Sequence, residues 1–303
     1  MGTPDFAVPC LEALIAAGHE VIAVYSQPDK PVGRKQILEP TPVKACAQKH
    51  GLTVYQPSTL RTPDQLELMH RLAPEAAVVV AYGKLIPADM LAVAPLGFIN
   101  VHASLLPKYR GAAPIQWAVV NGERQTGVTT MLLNEGMDTG DILETAETDI
   151  GEEETAGELF DRLSEIGAEL ITSTLDKLEN GEITPVPQND TLATQAPIIR
   201  KEMALVCFDR TAREICSAIR GFNPWPIAYT IYNGKRFKLY SARPAEGKSV
   251  PRAQIRIEKN RLYIGCSDGA IEVREAQLEG GKRLQASQII GGRLVTDGEK
   301  LGE

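Results

Sequence analysis

Short apolar runs alternate with longer amphipathic stretches over the first 180 residues. The runs HEVIAVYS, EAAVVVAYG and LGFINVHA are typical of buried strands, whereas VPCLEALIAAG and TPVKACAQKHG repeat apolar residues at helical spacing. A longer stretch, ELFDRLSEIGAELITSTLDKL, predicts an amphipathic helix over residues 158–178. This alternation of strands and helices predicts an α/β fold with a doubly wound, mostly parallel sheet.

The pattern changes after residue 180. Residues 181–199 are rich in Pro, Thr, Asn and Gln and show no periodicity, which is the composition of a linker. After a helical stretch, DRTAREICSAIRGF, short strands flank the turn signals Asn233-Gly234 and Asp268-Gly269, and both predict hairpins. We therefore expect a domain over residues 1–180, a linker over 181–199, and a small OB-like β-barrel domain over 200–303.

Charge is distributed unevenly between these parts. The whole chain has a formal net charge of -7, but residues 1–199 carry -14 and residues 200–303 carry +7. A basic C-terminal part is consistent with a polyanionic partner and equally with a solvated lysine-rich face. The five cysteines form no C-x-x-C pair, and the sequence shows no signal peptide or membrane span, so we expect a reduced, cytoplasmic protein.

The stretch INVHASLLPKYRGAAPIQ places two polar residues at the end of a predicted strand. Asn100 and His102 are two positions apart, so their side chains point to the same side. Open α/β sheets bind ligands at the carboxyl ends of their strands, which favours a functional site here. Further along the chain, Asp138 lies in the turn MDTGDIL. A hydrogen-bonded structural histidine and an ordinary Thr-Gly turn flanked by aspartates are the alternative interpretations.

The candidate residues fit some chemistries better than others. Asn100, His102 and Asp138 supply too few ligands for a typical metal site, and Ser104 lacks the G-x-S-x-G context of a serine nucleophile. The segment GTPDFA does not match the dinucleotide pattern G-x-G-x-x-G. Acyl-type transfer remains, with an amide and an imidazole stabilising an oxyanion and a carboxylate orienting the imidazole.

Several motifs resemble the methionyl-tRNA formyltransferase family, whose members use 10-formyltetrahydrofolate. They occur in order along nearly the whole chain: GTPDFAVPCLEAL, QPDKPVGRK, AYGKLIP, INVHASLLPKYRGAAPIQWAV, GVTTMLLNEGMDTGDIL and GFNPWPIAY. The resemblance implies a Rossmann-like formyltransferase domain and formyl transfer from 10-formyltetrahydrofolate to the α-amine of methionyl-initiator-tRNA, for translation initiation. It implies no metal and no membrane, and we expect a monomer.

The same resemblance assigns roles to individual residues. Asn100, His102 and Asp138 match the catalytic trio. Ser104, Leu105, Leu106 and Pro107 match the turn that contacts folate. A basic loop after the first readable strand carries Lys30, Arg34 and Lys35, and the family match implies that it binds tRNA.

Two other functions remain open from the sequence. A formyltransferase acting on an amino sugar nucleotide would share the donor motif and the two-domain plan. A noncatalytic RNA-binding protein would rely on the basic C-terminal part, although the intact trio argues against it.

The first strand of the predicted sheet is missing from the sequence. The chain opens on MGTPDFAVP and enters a turn and helix directly, whereas a βα unit needs a strand first. We expect the natural protein to begin upstream, and we expect residues 1–303 alone to leave a gap one strand wide in the sheet. An unstable, poorly active product would follow.

Overall fold

The computed structural model describes residues 1–32 and 36–302. Two compact units divide the chain. The first contains residues 1–111, 126–148 and 160–196, and the second contains residues 112–125, 149–159 and 197–303.

Helices and strands follow one another in the order expected of an α/β unit and then a β-rich unit. The helices are α1 Val8–Ala16, α2 Pro42–Lys49, α3 Pro63–Leu72, α4 Ala88–Leu91, α5 Pro114–Val120, α6 Ala156–Glu179, α7 Ala212–Gly221 and α8 Ala286–Gly291. The strands are β1 Val24–Tyr25, β2 Lys30–Val32, β3 Ile37–Glu39, β4 Val54–Tyr55, β5 Ala77–Val79, β6 Phe98–His102, β7 Gln125–Leu132, β8 Ile142–Asp149, β9 Tyr229–Tyr232, β10 Lys235–Pro244, β11 Ile255–Glu258, β12 Arg261–Cys266, β13 Gly269–Leu278 and β14 Leu284–Gln285.

The first unit confirms the α/β class but mixes strand directions. A four-stranded sheet has the order β5-β6-β7-β8, and β1 and β4 form a separate parallel pair. Strand β6 runs parallel to β5 and antiparallel to β7. The loop 133–141 joins β7 to β8. It is too short for a parallel connection, which needs a crossover of a dozen or more residues.

Residues Met1 and Gly2 lie between the two pieces of this sheet. Gly2 forms a parallel bridge with Val80, and its amide donates to the Tyr25 carbonyl at 2.9 Å. Strand β1 contains only Val24 and Tyr25, although the apolar run that predicts it is longer. A cavity of about 460 Å³ lies between residues 20–25 and 75–80.

A capping motif at the start of helix α6 and an apolar stripe along one of its faces both stabilise this long helix. Thr155 and Glu158 cap its start reciprocally: the Thr155 amide donates to the Glu158 carboxylate, and the Glu158 amide donates to the Thr155 hydroxyl. Leu163 and Ile171, eight residues apart on one helical face, are fully buried. No helix in the described part of the chain is both long enough and apolar enough to cross a membrane.

The OB-like β-barrel predicted for the second unit is not closed in the described residues. Its described strands form an open path, β11-β12-β13-β10-β9, with β14 beside β13. Strands β9 and β11 do not pair with each other because the tail 298–302 lies against both edges. Ile255 donates its amide to Glu299, and Gly302 donates to the Ile231 carbonyl. The tail thus covers edges that would otherwise expose unpaired backbone groups.

The hairpins of the second unit follow the turn signals in the sequence. Asn233 and Gly234 both have positive φ and join β9 to β10, and Gly269 opens β13 after the Ser267-Asp268 turn. Helix α7 begins with a capping box between Thr211 and Glu214.

We predict that the chain beginning at Met1 loses stability as the pH falls from 8 to 5. Burial lowers the pKa of the Met1 amine from 8.0 to about 5. Between pH 8 and pH 5 the amine is protonated in the unfolded chain and neutral in the folded chain. The free energy of unfolding is therefore highest above pH 8, and it falls by at most about 1.4 kcal/mol per pH unit down to pH 5. Urea unfolding at several pH values, on protein whose intact mass shows Met1, measures this.

Acetylation of the Met1 amine provides the control, because an amide does not titrate. Identical pH profiles for the free and acetylated chains would contradict the prediction.

Candidate active site

Strand β6 holds Asn100 and His102 in the interior of the first unit. Backbone pairing fixes the strand on both edges, with Val79 of β5 opposite Asn100 and Thr129 of β7 opposite His102. Both polar side chains are at least nine-tenths buried. The side-chain amide of Asn100 has no hydrogen bond to another described residue, and it is not one of the fully buried polar groups left without a partner. It can therefore donate to a ligand.

His102 is held through one ring nitrogen and leaves the other for chemistry. Its Nε2 lies 2.9 Å from the Tyr109 carbonyl oxygen, and its Nδ1 lies 3.7 Å from Asp138 Oδ2. A carbonyl only accepts hydrogen bonds, so Nε2 carries the proton. Nδ1 then faces the Asp138 carboxylate. The structure brings His102 and Asp138 together as the sequence predicts.

Asp138 is oriented by the backbone of a neighbouring turn. The Gly111 amide donates to Asp138 Oδ2 at 2.8 Å, the same oxygen that faces His102. Asp138 itself has φ of 55°, in the left-handed region where Asp is tolerated better than most residues. Gly111 has φ of 121°, and a Cβ there would lie 2.7 Å from the Ala196 carbonyl oxygen, so this turn requires glycine.

Gln188 and Arg110 support this arrangement, and the sequence did not indicate either. Gln188 donates through Nε2 to the carbonyls of Asp138 at 3.0 Å and Gly140 at 2.7 Å. Its Oε1 accepts from Arg110 Nη2 at 2.7 Å, and the same Arg110 nitrogen donates to Asp190 at 2.8 Å. The segment whose composition indicates a linker therefore holds the Asp138 loop. The available signal in the sequence was Arg110, a charged residue that closely follows the turn Ser104–Pro107.

The turn Ser104–Pro107 is built on β7. Thr129 Oγ1 donates to the Ser104 carbonyl at 2.7 Å and accepts from the Leu106 amide at 3.1 Å. The Ser104 hydroxyl donates to the Lys108 carbonyl at 2.7 Å, so it closes the turn. Ser104 and Leu106 are buried, whereas Leu105 and Pro107 are half-buried. The latter two present apolar surface.

The basic loop lies only partly within the described residues. Lys30 is exposed and starts a two-stranded hairpin, β2 with β3, in which it lies opposite Glu39. Arg34 and Lys35 lie outside the described residues. No hydrogen bond or ion pair in the described ranges joins Lys30 to the trio on β6 and the Asp138 loop.

A separate group of potential metal ligands lies on α1 and α2. The His50 Nε2 is 2.8 Å from Glu12, and the Cys46 thiol donates to the same carboxylate at 3.2 Å. Burial, reinforced by Glu12, raises the pKa of Cys46 to about 11. Because a metal binds the thiolate, this protonated thiol fits a hydrogen-bonded structural contact better than a metal centre.

Family models and curated relatives match the chain over nearly its whole length. The family model "Formyl transferase" matches residues 1–175, and "Formyl transferase, C-terminal domain" matches residues 198–294. The methionyl-tRNA formyltransferase of Geobacter sulfurreducens is 46% identical over 303 residues, covering 100% of this chain and 96% of the relative. The enzyme of the same name from Alkaliphilus oremlandii is 44% identical over 305 residues, covering 100% and 98%.

Solved structures show the same fold at lower identity. An N-formyltransferase from Helicobacter canadensis, in complex with folinic acid and dTDP-3-aminofucose, has a TM-score of 0.66 at 20% identity, covering 91% of this chain and 97% of that one. HypX from Aquifex aeolicus, in complex with tetrahydrofolic acid, has a TM-score of 0.58 at 20% identity, covering 84% of this chain and 45% of that one.

We predict that Gln188→Leu loosens the Asp138 loop. The substitution removes the donor for two carbonyls and leaves the buried Arg110 without one acceptor, which should lower the free energy of unfolding by about 1–3 kcal/mol. Exchange of the Gly111 amide, measured by NMR, should accelerate because its acceptor Asp138 is no longer held. Gln48→Leu, on the exposed side of α2, should change stability by less than about 0.5 kcal/mol. Unchanged Gly111 exchange in Gln188→Leu would show that the loop holds without Gln188.

Proposed function

The chain belongs to the formyl transferase family, and from this premise we propose that it transfers the formyl group of 10-formyltetrahydrofolate to the α-amine of methionyl-tRNA. The products are N-formylmethionyl-tRNA and tetrahydrofolate. The observation that carries the proposal is the approach of the His102 imidazole to the Asp138 carboxylate at the end of β6, with Asn100 on the same face of that strand. The choice of acceptor rests on the full-length similarity to methionyl-tRNA formyltransferases, which extends through the second unit.

The chemistry follows from where charge develops at the formyl carbon. The amine nitrogen attacks that carbon, its oxygen becomes negative, and the bond to N10 of the folate then breaks. Asn100 Nδ2 and a protonated His102 Nδ1 donate to this oxygen. The Asp138 carboxylate accepts a proton from the attacking amine and passes that proton to N10 as the folate leaves.

Tyr109 contributes through its carbonyl rather than its ring. The bond from His102 Nε2 to that oxygen fixes the ring plane, so Nδ1 faces Asp138 and the reacting group together. A donor already fixed in position stabilises the transition state without reorganising during the reaction.

The turn Ser104–Pro107 forms one wall of the folate site in this proposal. The hydroxyl of Ser104 is already engaged by Lys108, so the turn contributes shape and apolar surface from Leu105 and Pro107. Apolar walls with a few placed polar groups are typical of small-molecule sites.

Phosphate contacts supply the affinity for tRNA in this proposal. Lys30, Arg34 and Lys35 provide positive charge on the basic loop of the first unit, and the second unit provides the positive balance of the C-terminal residues. Each neutralised phosphate releases counterions, so binding weakens steeply with salt.

Two acceptors assayed side by side test the proposal. Purified protein with 10-formyltetrahydrofolate should formylate methionyl-tRNA and leave a dTDP-amino sugar unmodified. In the same assay Asn100→Ala and His102→Ala should each lower kcat by about a hundredfold to a thousandfold, the usual cost of one oxyanion donor.

Matched controls for these two variants lie on the surface. Asn180→Ala and His70→Ala, at exposed positions, should retain full kcat. Formylation of the sugar alone would overturn the acceptor assignment, and near-full kcat in Asn100→Ala and His102→Ala would overturn the assignment of the site.

We predict that Arg34→Ala weakens the use of methionyl-tRNA without changing the use of the folate donor. Loss of one phosphate contact should raise KM for tRNA and reduce the slope of log affinity against log salt by about one. Arg61→Ala, an exposed arginine of the same unit, serves as the control. Equal kinetics for Arg34→Ala and Arg61→Ala with both substrates would remove the basic loop from tRNA binding.

A further inference from the structure

Residues 188–196, the strap, pair with the turn that follows β6. The Arg110 amide donates to the Thr194 carbonyl at 2.9 Å, and the Ala196 amide donates to the Arg110 carbonyl at 2.7 Å. These two bonds belong to a parallel bridge between the two segments. They hold the peptide groups on either side of Arg110, so the strap fixes the position of this residue in the turn.

Arg110 lies between the two residues that orient the imidazole and the carboxylate of the site. The Tyr109 carbonyl accepts from His102 Nε2 at 2.9 Å, and the Gly111 amide donates to Asp138 Oδ2 at 2.8 Å. Residues 109–111 are consecutive and their peptide groups are planar, so movement of the Arg110 backbone displaces both contacts. The strap therefore restrains the imidazole and the carboxylate through one residue.

One side chain of the strap reaches the same turn. The Tyr109 amide donates to Thr194 Oγ1 at 2.8 Å. Tyr109 has a φ of 62°, in the left-handed region that a bulky residue rarely adopts. Such a backbone persists only where surrounding contacts hold it. The Thr194 hydroxyl is one of these contacts, and it acts on the residue whose carbonyl orients His102.

The side chain of Thr194 lies at the surface, whereas Tyr109 is buried. A substitution at an exposed position usually changes stability little. A change at His102 in such a variant would therefore follow from the lost hydrogen bond and not from a disturbed interior.

We propose that Thr194 is a positioning residue for formyl transfer: its hydroxyl holds the Tyr109 backbone, and the Tyr109 carbonyl then fixes the His102 ring with Nδ1 towards the reacting group. This inference rests on the proposed function and adds to it a residue that acts through Tyr109 and His102.

Nuclear magnetic resonance of the protein without substrates tests the orientation of the ring directly. In Thr194→Val, which keeps the size of the side chain and removes the acceptor, the Tyr109 amide should exchange with water at least about tenfold faster. The proton on His102 Nε2 should also exchange faster. The ring nitrogen signals should shift towards a mixture of the two tautomers, because the Tyr109 carbonyl no longer selects one of them. Thr194→Ser keeps the hydroxyl and should retain the signals of the unaltered protein.

Steady-state kinetics tests the consequence for the reaction. Thr194→Val should lower kcat by about tenfold, the effect of roughly one hydrogen bond. KM for 10-formyltetrahydrofolate should stay within about twofold, because Thr129 holds the turn Ser104–Pro107 separately. Thr194→Ser should retain full kcat. Thr53→Val, the same change at another exposed threonine of the first unit, should leave kcat and the His102 signals unchanged.

His102 signals in Thr194→Val that match those of the unaltered protein would overturn the proposal, whatever happens to kcat. Changed signals with full kcat would remove Thr194 from the reaction and overturn it as well. Absence of formyl transfer by the unaltered protein would instead overturn the proposed function. The His102 signals are recorded without substrates, so they decide whether Thr194 positions the ring in that case too.

Discussion

The candidate site depends on the pairing of β6 with a strand on each edge. Hydrogen bonds to β5 and β7 fix the backbone of Phe98–His102, and the pleat then sets where each side chain points. Asn100 and His102 fall on one side, two residues apart, at the end of the strand. The following turn brings the Tyr109 carbonyl to His102 Nε2. A shift of one residue in this register would turn both side chains to the other face.

The orientation of Asp138 depends on a longer chain of contacts. Gly111 holds the carboxylate, Gln188 holds the backbone of the same loop, and the buried Arg110 holds Gln188. Arg110 thus restrains Gln188, and Gln188 restrains the backbone of the Asp138 loop. As a result, the imidazole and the carboxylate meet in a fixed geometry. Such preorganisation is the main way in which a protein stabilises charge that develops during acyl transfer.

Local patterns in the sequence predicted the strands, helices and turns that are determined by neighbouring residues in the chain. The apolar run around β6, the stripe of α6 and the Asn233-Gly234 turn each determine their own structure. Long-range partners were not predictable in this way. Gln188 lies 50 residues from Asp138 in a segment without periodicity, so nothing local marks it as a support. The tail 298–302 covers two strand edges through backbone bonds that any sequence could make, so nothing in the sequence marks the tail as the partner of those edges. Motif resemblance, rather than periodicity, identified the trio.

The most direct test of the account is a crystal structure with a stable 10-formyl folate analogue bound. We predict that the formyl oxygen lies within about 3.2 Å of both Asn100 Nδ2 and His102 Nδ1, with His102 Nε2 still bonded to the Tyr109 carbonyl. A formyl group bound away from these two atoms, or a His102 ring that presents Nε2 to it, would contradict the account.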